Sequence, residues 1–152
     1  MYHWDLPQSL QNLGGFANPL IVDYFKDFAN VLYTNFGDRV KRWITFNEPF
    51  KFCTEGYGIG TFAPAVKYPG VADYLCAHHV LLSHASAYRL YQKKYFKNQQ
   101  GKVGMSLNTR FFYPKDDSVD KCLVNRVMEY EVWQTKMFFR MIFREFSSSG
   151  GS

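Results

Sequence analysis

Apolar positions recur along this chain with two different rhythms. Leu20, Tyr24, Phe25, Phe28 and Leu32 fall at helical spacing, which predicts a helix with one apolar flank. Asn18-Pro19 ahead of them supplies an N-cap residue and a proline for the first helical position. Gly37 stands where a C-terminal cap belongs. Residues 41–47 form a short apolar run without alternation, which predicts a strand buried on both faces. Similar short runs at 2–4 and 103–108 predict two further strands, and long helices fit 71–97 and 117–145. Between 50 and 70 lies a stretch with several Gly and Pro residues, too long for a simple connector.

The order is β-α-β-α-β-α with no hairpin signal, so the strands should run parallel with right-handed crossovers. An open doubly wound sheet would be expected to carry a Gly-rich phosphate turn after a strand, and none is present. Instead His3, Asn47, Glu48 and Asn108 stand at the C-terminal ends of three strands, the rim from which a barrel draws its reactive groups. The expected fold is therefore α/β: an incomplete (β/α)8 TIM barrel of about three parallel β-α units. A closed barrel takes about 250 residues, so a chain of 152 residues is expected to be part of one. The expected domain spans 1–146, followed by a flexible Ser/Gly tail at 147–152.

Composition changes this picture little. The 19% aromatic content fits a large core better than an exposed stacking surface. A net charge of +5 raises the question of an anionic partner. The basic residues are scattered, however, and the local group Lys93, Lys94 and Lys97 falls near a helix end, where cations complement the dipole. With no nucleic-acid motif beside it, no nucleic-acid partner is expected. Cys53, Cys76 and Cys122 are odd in number and far apart, predicting neither a zinc site nor a disulfide framework. His78, His79 and His84 do not share a helix face, so no metal is expected there. No stretch approaches the roughly 18–20 apolar residues of a membrane span. The N-terminus reads as a strand tail rather than a signal peptide.

The chemistry concentrates in WITFNEPF, residues 43–50. A buried strand that ends on a carboxylate invites explanation, because an unpaired charge at a core edge is costly. A carboxyl in a cleft can keep its proton and give it to a leaving group. The neutral Asn47 beside it can hold a substrate hydroxyl, and Pro49 ends the strand. His3 and Trp4, at the end of the preceding strand, would add a hydrogen-bonding ring and an apolar face suited to a sugar. The plainer readings are that Glu48 caps a loop or pairs with Arg42 or Lys51, and that His3 is an ordinary rim histidine.

WITFNEP closely resembles the acid/base motif T-[FL]-N-E-P of glycoside hydrolase family 1, the β-glucosidase family. YHWDLPQ at 2–8, GGFANPLIVDYFKDFANVLYTNFGDRVKRW, EGYGIGTFAP, AHHVLLSHASAYRLY and GKVGMSLN are similar to successive segments of the same family. The likeness covers about residues 1–134 and is greatest to insect members. It implies a retaining β-glycosidase acting on terminal β-D-glucosyl bonds, without cofactor or metal, whose partner is a small β-glucoside or oligosaccharide. It also implies Glu48 as general acid/base, Asn47 as the residue on the sugar 2-hydroxyl, His3 and Trp4 as ligands of other hydroxyls, and Asn108 as a fifth-strand site residue. Plant myrosinases carry Gln at the Glu48 position, so a plant-type thioglucosidase is disfavoured and an animal type stays open.

Retaining glycosidases need a second carboxylate, which in this family is the Glu of T-E-N-G. None of Glu48, Glu55, Glu129, Glu131 and Glu145 is followed by Asn-Gly. The isolated chain is therefore expected to be inactive. Residues after 134 depart from the family pattern, and Ala65 stands where the family commonly has Gly. A different reading is a non-catalytic remnant that binds a sugar or a protein. Secretion of the parent is expected by family analogy alone, and no oligomeric state is assigned.

Overall fold

The computed structural model describes residues 1–108. The chain divides into two compact units, Met1–Leu107 and Asn108–Ser152, and the first is described here by itself. The expected helix at 117–145, the Ser/Gly tail and Cys122 lie outside the described residues.

After a strand-like entry at Tyr2 come α1 (Gln8–Asn12) and a single 3-10 turn at Gly15–Ala17, then the long α2 (Ile21–Phe36). β1 (Arg42–Asn47) follows, and α3 (Pro49–Cys53) starts straight after Glu48. A π-helical turn, Thr54–Ile59, continues α3 before the chain opens into a loop. α4 (Ala72–Leu90) leads through a second π turn, Tyr91–Tyr95, into α5 (Phe96–Gln99) and then β2 (Lys102–Ser106). The stretch at 50–70 is thus helical for its first half, a correction to its reading as loop.

β1 and β2 pair in parallel, Arg42 with Lys102 and Ile44 with Gly104, with an irregularity between Ile44 and Asn47. On the other side of β1, Tyr2 forms a parallel bridge to Phe46. The Tyr2 N–H donates to the Thr45 carbonyl (2.9 Å) and the Asn47 N–H donates to the Tyr2 carbonyl (3.2 Å). β1 is therefore flanked on both sides, and all three segments run the same way.

The helices cover one face of β1. Phe46 is fully buried and stacks on Phe25 of α2 at 4.3 Å between centroids, in a cluster with Tyr2 and Phe16. Trp43 packs edge-on against Tyr33 of α2, which meets Tyr91. Thr45 Oγ1 lies 2.8 Å from His84 Nδ1 on α4 and 3.2 Å from the Gly104 carbonyl, so one hydroxyl links β1, α4 and β2. Ile44, between Trp43 and Thr45, is 52% exposed, so among the described residues the face of β1 opposite Trp43 and Thr45 is open at that position. The expectation of burial on both faces is not met here.

The helix expected after Pro19 is present, but its buried stripe is Ile21, Phe25, Ala29 and Tyr33. Leu20, Tyr24 and Phe28 face outward. Asn18 Oδ1 accepts the Leu20 N–H at 2.9 Å, holding the approach to the helix rather than its first turn. Gly37 is the C-cap of α2 as expected, its N–H donating to the Tyr33 carbonyl, but its backbone is right-handed, φ −70°. A Cβ there would displace the end of the Gln99 side chain, whose Nε2 donates to the Tyr33 carbonyl at 2.9 Å.

Cys53 and Cys76 form a disulfide joining α3 to α4. This corrects the expectation of no disulfide. The two cysteines lie 23 residues apart without a pairing motif, and only the docking of α3 on α4 brings them together.

Candidate active site

The end of β1 brings four of the expected residues together. Asn47 and Glu48 are half-buried, and Asn47 Nδ2 donates to His3 Nε2 at 3.2 Å. Trp4 Nε1–H donates to the Asn47 carbonyl at 2.9 Å. The indole N–H is thus spent on the protein, leaving Trp4 its ring face rather than a hydrogen bond to offer. That ring lies 5.4 Å from Phe62, which reaches back from the loop after α3. Lys51 Nζ stands 5.6 Å from the Phe62 centroid. Asn108 follows β2 but belongs to the second unit, so this geometry concerns the other four residues.

Glu48 is held by its backbone. Its N–H donates to the Ser106 carbonyl at 2.8 Å, and its carbonyl accepts from Lys51 (3.0 Å) and Phe52 (3.3 Å). Its side chain does neither of the plain jobs the sequence allowed. It makes no capping hydrogen bond to α3. Among the described residues the ion pair is Arg39–Asp38, so neither Arg42 nor Lys51 takes the Glu48 carboxylate. The backbone there is left-handed, φ 48° and ψ 58°. Trp4 is left-handed too, at φ 71°. Side chains disfavour this region, and such outliers gather at functional sites.

Below this rim a polar lock ties the first loop to the segment after Glu48. The Phe16 N–H donates to Tyr57 Oη at 3.0 Å, and the Tyr57 hydroxyl donates to Gln11 Oε1 at 2.8 Å. Burial pushes the Tyr57 hydroxyl up to about 12, so it stays a donor. Gly15, at φ +54°, passes so close that a Cβ would meet both Tyr57 Oη and Gln11. His79 Nδ1 lies 2.8 Å from the Phe16 carbonyl. Burial holds His79 and His84 below the ordinary histidine value. Both are fixed to separate partners, and among the described residues no group of His, Cys, Asp and Glu is arranged for a metal ion.

One feature of the rim went unread in the sequence, and another, Ala65, gains a physical reason. Glu55 accepts from the Thr61 hydroxyl, and its carbonyl takes the N–H groups of Gly60, Thr61 and Phe62, which folds the loop so that Phe62 returns to Trp4. Ala65 has φ 61°, a physical reason for the glycine commonly found at this place.

The sequence profile of Glycosyl hydrolase family 1 matches residues 1–148. The chain belongs to glycosyl hydrolase family 1. The match continues beyond residue 134, where the motif likeness faded. Myrosinase 1 of Brevicoryne brassicae is 51% identical over 120 residues, covering 79% of this chain and 26% of that protein. Human lactase/phlorizin hydrolase is 42% identical over 143 residues, covering 92% of this chain and 7% of that one. Among solved structures, aphid myrosinase superposes with a TM-score of 0.75 at 47% identity, over 86% of this chain and 29% of that chain. A β-glucosidase from Thermotoga maritima in complex with deoxynojirimycin gives 0.72 at 36% identity, over 86% of this chain and 28% of that one. The chain thus spans about a quarter or less of these curated relatives.

Proposed function

We propose that this family 1 chain carries the proton-donor half of a retaining β-glycosidase, on strands three to five of a (β/α)8 barrel. The observation that carries the reading is the Glu48 side chain: half-buried at the end of a strand flanked on both sides, on a left-handed backbone, and with neither a helix-capping hydrogen bond nor an ion pair among the described residues. A carboxyl employed for stability would be capped or paired. One left unengaged is available to exchange a proton with a bound ligand.

In the proposed reaction the Glu48 carboxyl protonates the glycosidic oxygen while a second carboxylate attacks the anomeric carbon. The leaving group departs as an alcohol. Glu48, now ionised, takes a proton from water as that water displaces the enzyme carboxylate from the sugar. Asn47, oriented by His3 through its Nδ2, is placed to hold a sugar hydroxyl. The Trp4 ring, fixed by the Asn47 carbonyl, offers an apolar surface to the C–H face of the ring. Asn108 is a further substrate-binding residue in this reading.

The second carboxylate stands about 5–5.5 Å from the first in retaining enzymes, and no Glu of this chain carries the Asn-Gly that marks it in the family. The 152 residues alone are therefore predicted to show no turnover of an aryl β-glucoside. Grafting residues 1–107 into the matching segment of a solved relative supplies the second carboxylate. The graft should hydrolyse the aryl β-glucoside and lose about 10²–10⁴-fold in kcat on Glu48→Gln. Turnover by the isolated chain, or an unimpaired Glu48→Gln graft, would overturn the reading. The likeness to Myrosinase 1 of Brevicoryne brassicae and to the aphid myrosinase structure favours assaying the aryl 1-thio-β-glucoside alongside.

A further inference from the structure

Glu48 is the N-cap of α3, whose five residues run without a break into the π turn Thr54–Ile59. So short a helical segment has little stability of its own, yet the residue that caps it must keep a left-handed backbone that a non-glycine side chain disfavours. The surroundings have to hold it. The Phe52 ring is buried against Tyr2 and Phe16, at 5.0 and 5.5 Å. The next residue, Cys53, ends α3 and is bonded to Cys76 in the second turn of α4. Both cysteines are almost fully buried. α4 is in turn anchored to the sheet through His84 and Thr45, and to the first loop through His79 and the Phe16 carbonyl. The bond closes a loop that contains all of the rim from Thr54 to Val71.

We propose that Cys53 and Cys76 are positioning residues for the acid/base carboxyl: their bond fixes α3 to α4 and so keeps Glu48 in its left-handed conformation at the strand end. The proposal rests on the reading of Glu48 given above. Two sequence-separated contacts, Phe52 packing and the covalent link, hold the far end of α3, while the Glu48 N–H on Ser106 holds the near end. When the bond is reduced, two electrons and two protons from dithiothreitol leave two thiols, and the reagent closes to its cyclic disulfide. No side-chain volume is lost, so the effect isolates the link from the packing.

Amide hydrogen exchange of the complete 152-residue chain tests this without any need for turnover. In the oxidised chain, Glu48, Lys51 and Phe52 should exchange only through global unfolding, with the same denaturant dependence as Val80 and Ala87 of α4. On reduction their protection should fall at least tenfold, while Ala29 and Tyr33 of α2 change less than threefold. The Glu48 Cα chemical shift and its HN–Hα coupling, which report φ, should move as well. Local opening of residues 48–52 in the oxidised chain, a uniform loss of protection, or an unchanged Glu48 shift would each overturn the proposal. If the reduced chain unfolds altogether, the oxidised measurement decides. Failure of the acid/base reading shows separately, as an unimpaired Glu48→Gln graft.

Discussion

The two ends of β1's side-chain ladder solve opposite problems. Toward the helices, Trp43, Thr45 and Phe46 are buried, ring against ring, with the Thr45 hydroxyl near a histidine and a carbonyl. At the rim, one residue further on, Asn47 and Glu48 are half-buried, and Glu48 sits on a disfavoured backbone with its carboxyl in no ion pair among the described residues. The packed side supplies stability. The rim draws on it, because a strained, polar strand end persists only where neighbouring structure over-determines it. The backbone of Glu48 is thus supported from below, by the packing of Tyr2, Phe16 and Phe52, rather than by contacts of the acidic side chain itself.

This contrast can be broken most sharply at adjacent positions. Phe46→Ala removes the ring at the centre of the aromatic cluster and should cost about 3–5 kcal/mol in a denaturant titration. A loss under 1 kcal/mol would mean that the packed side does not bear the fold.

Acid should weaken the packed side next. His79 and His84 are held below the ordinary value of 6.5 by burial, so the unfolded chain takes up their protons first. Stability is then complete above about pH 6.5 and is lost as the pH falls through that value toward the lower folded-state values, at up to about 1.4 kcal/mol per pH unit for each ring. Unfolding midpoints between pH 8 and 5 read this directly. A flat profile would show that neither ring is buried neutral.

The smallest effect belongs to the rim and has the opposite sign. Ala65 occupies the left-handed region at φ 61°, where a side chain costs about 1–2 kcal/mol. Glycine returns roughly 0.5–1 kcal/mol of that to the unfolded chain. Ala65→Gly should therefore stabilise by about 0.5–1 kcal/mol, seen as a raised midpoint. Destabilisation would mean that the rim loop is not strained at this residue.

Which parts of this could be read from residues alone follows from the physics. Asn47-Glu48-Pro49 was legible because a carboxylate contradicts the apolar run before it and the proline ends the strand. The parallel order was legible because helices separate every pair of strands. The buried face of α2 was not, since Tyr24 and Phe28 are as apolar as the residues that reach the sheet, and spacing alone does not say which stripe meets it. Gly37 was legible as the C-cap of α2, but its right-handed backbone was not, because glycine answers two needs, a positive φ and a close neighbour, and here the neighbour is Gln99. The Cys53–Cys76 pairing was invisible because it depends on how a five-residue helix docks on a partner 23 positions away. The site showed the same divide: Asn47 and His3 came together as read, while the diversion of the Trp4 N–H to a main-chain carbonyl needed coordinates.

The bridge from Tyr2 and the ladder to β2 give β1 a neighbour on each edge. The strand that leads to residue 48 is therefore held along both of its edges from within the described residues. In the role proposed for Glu48, that two-sided clasp is what would fix the direction from which its proton is delivered.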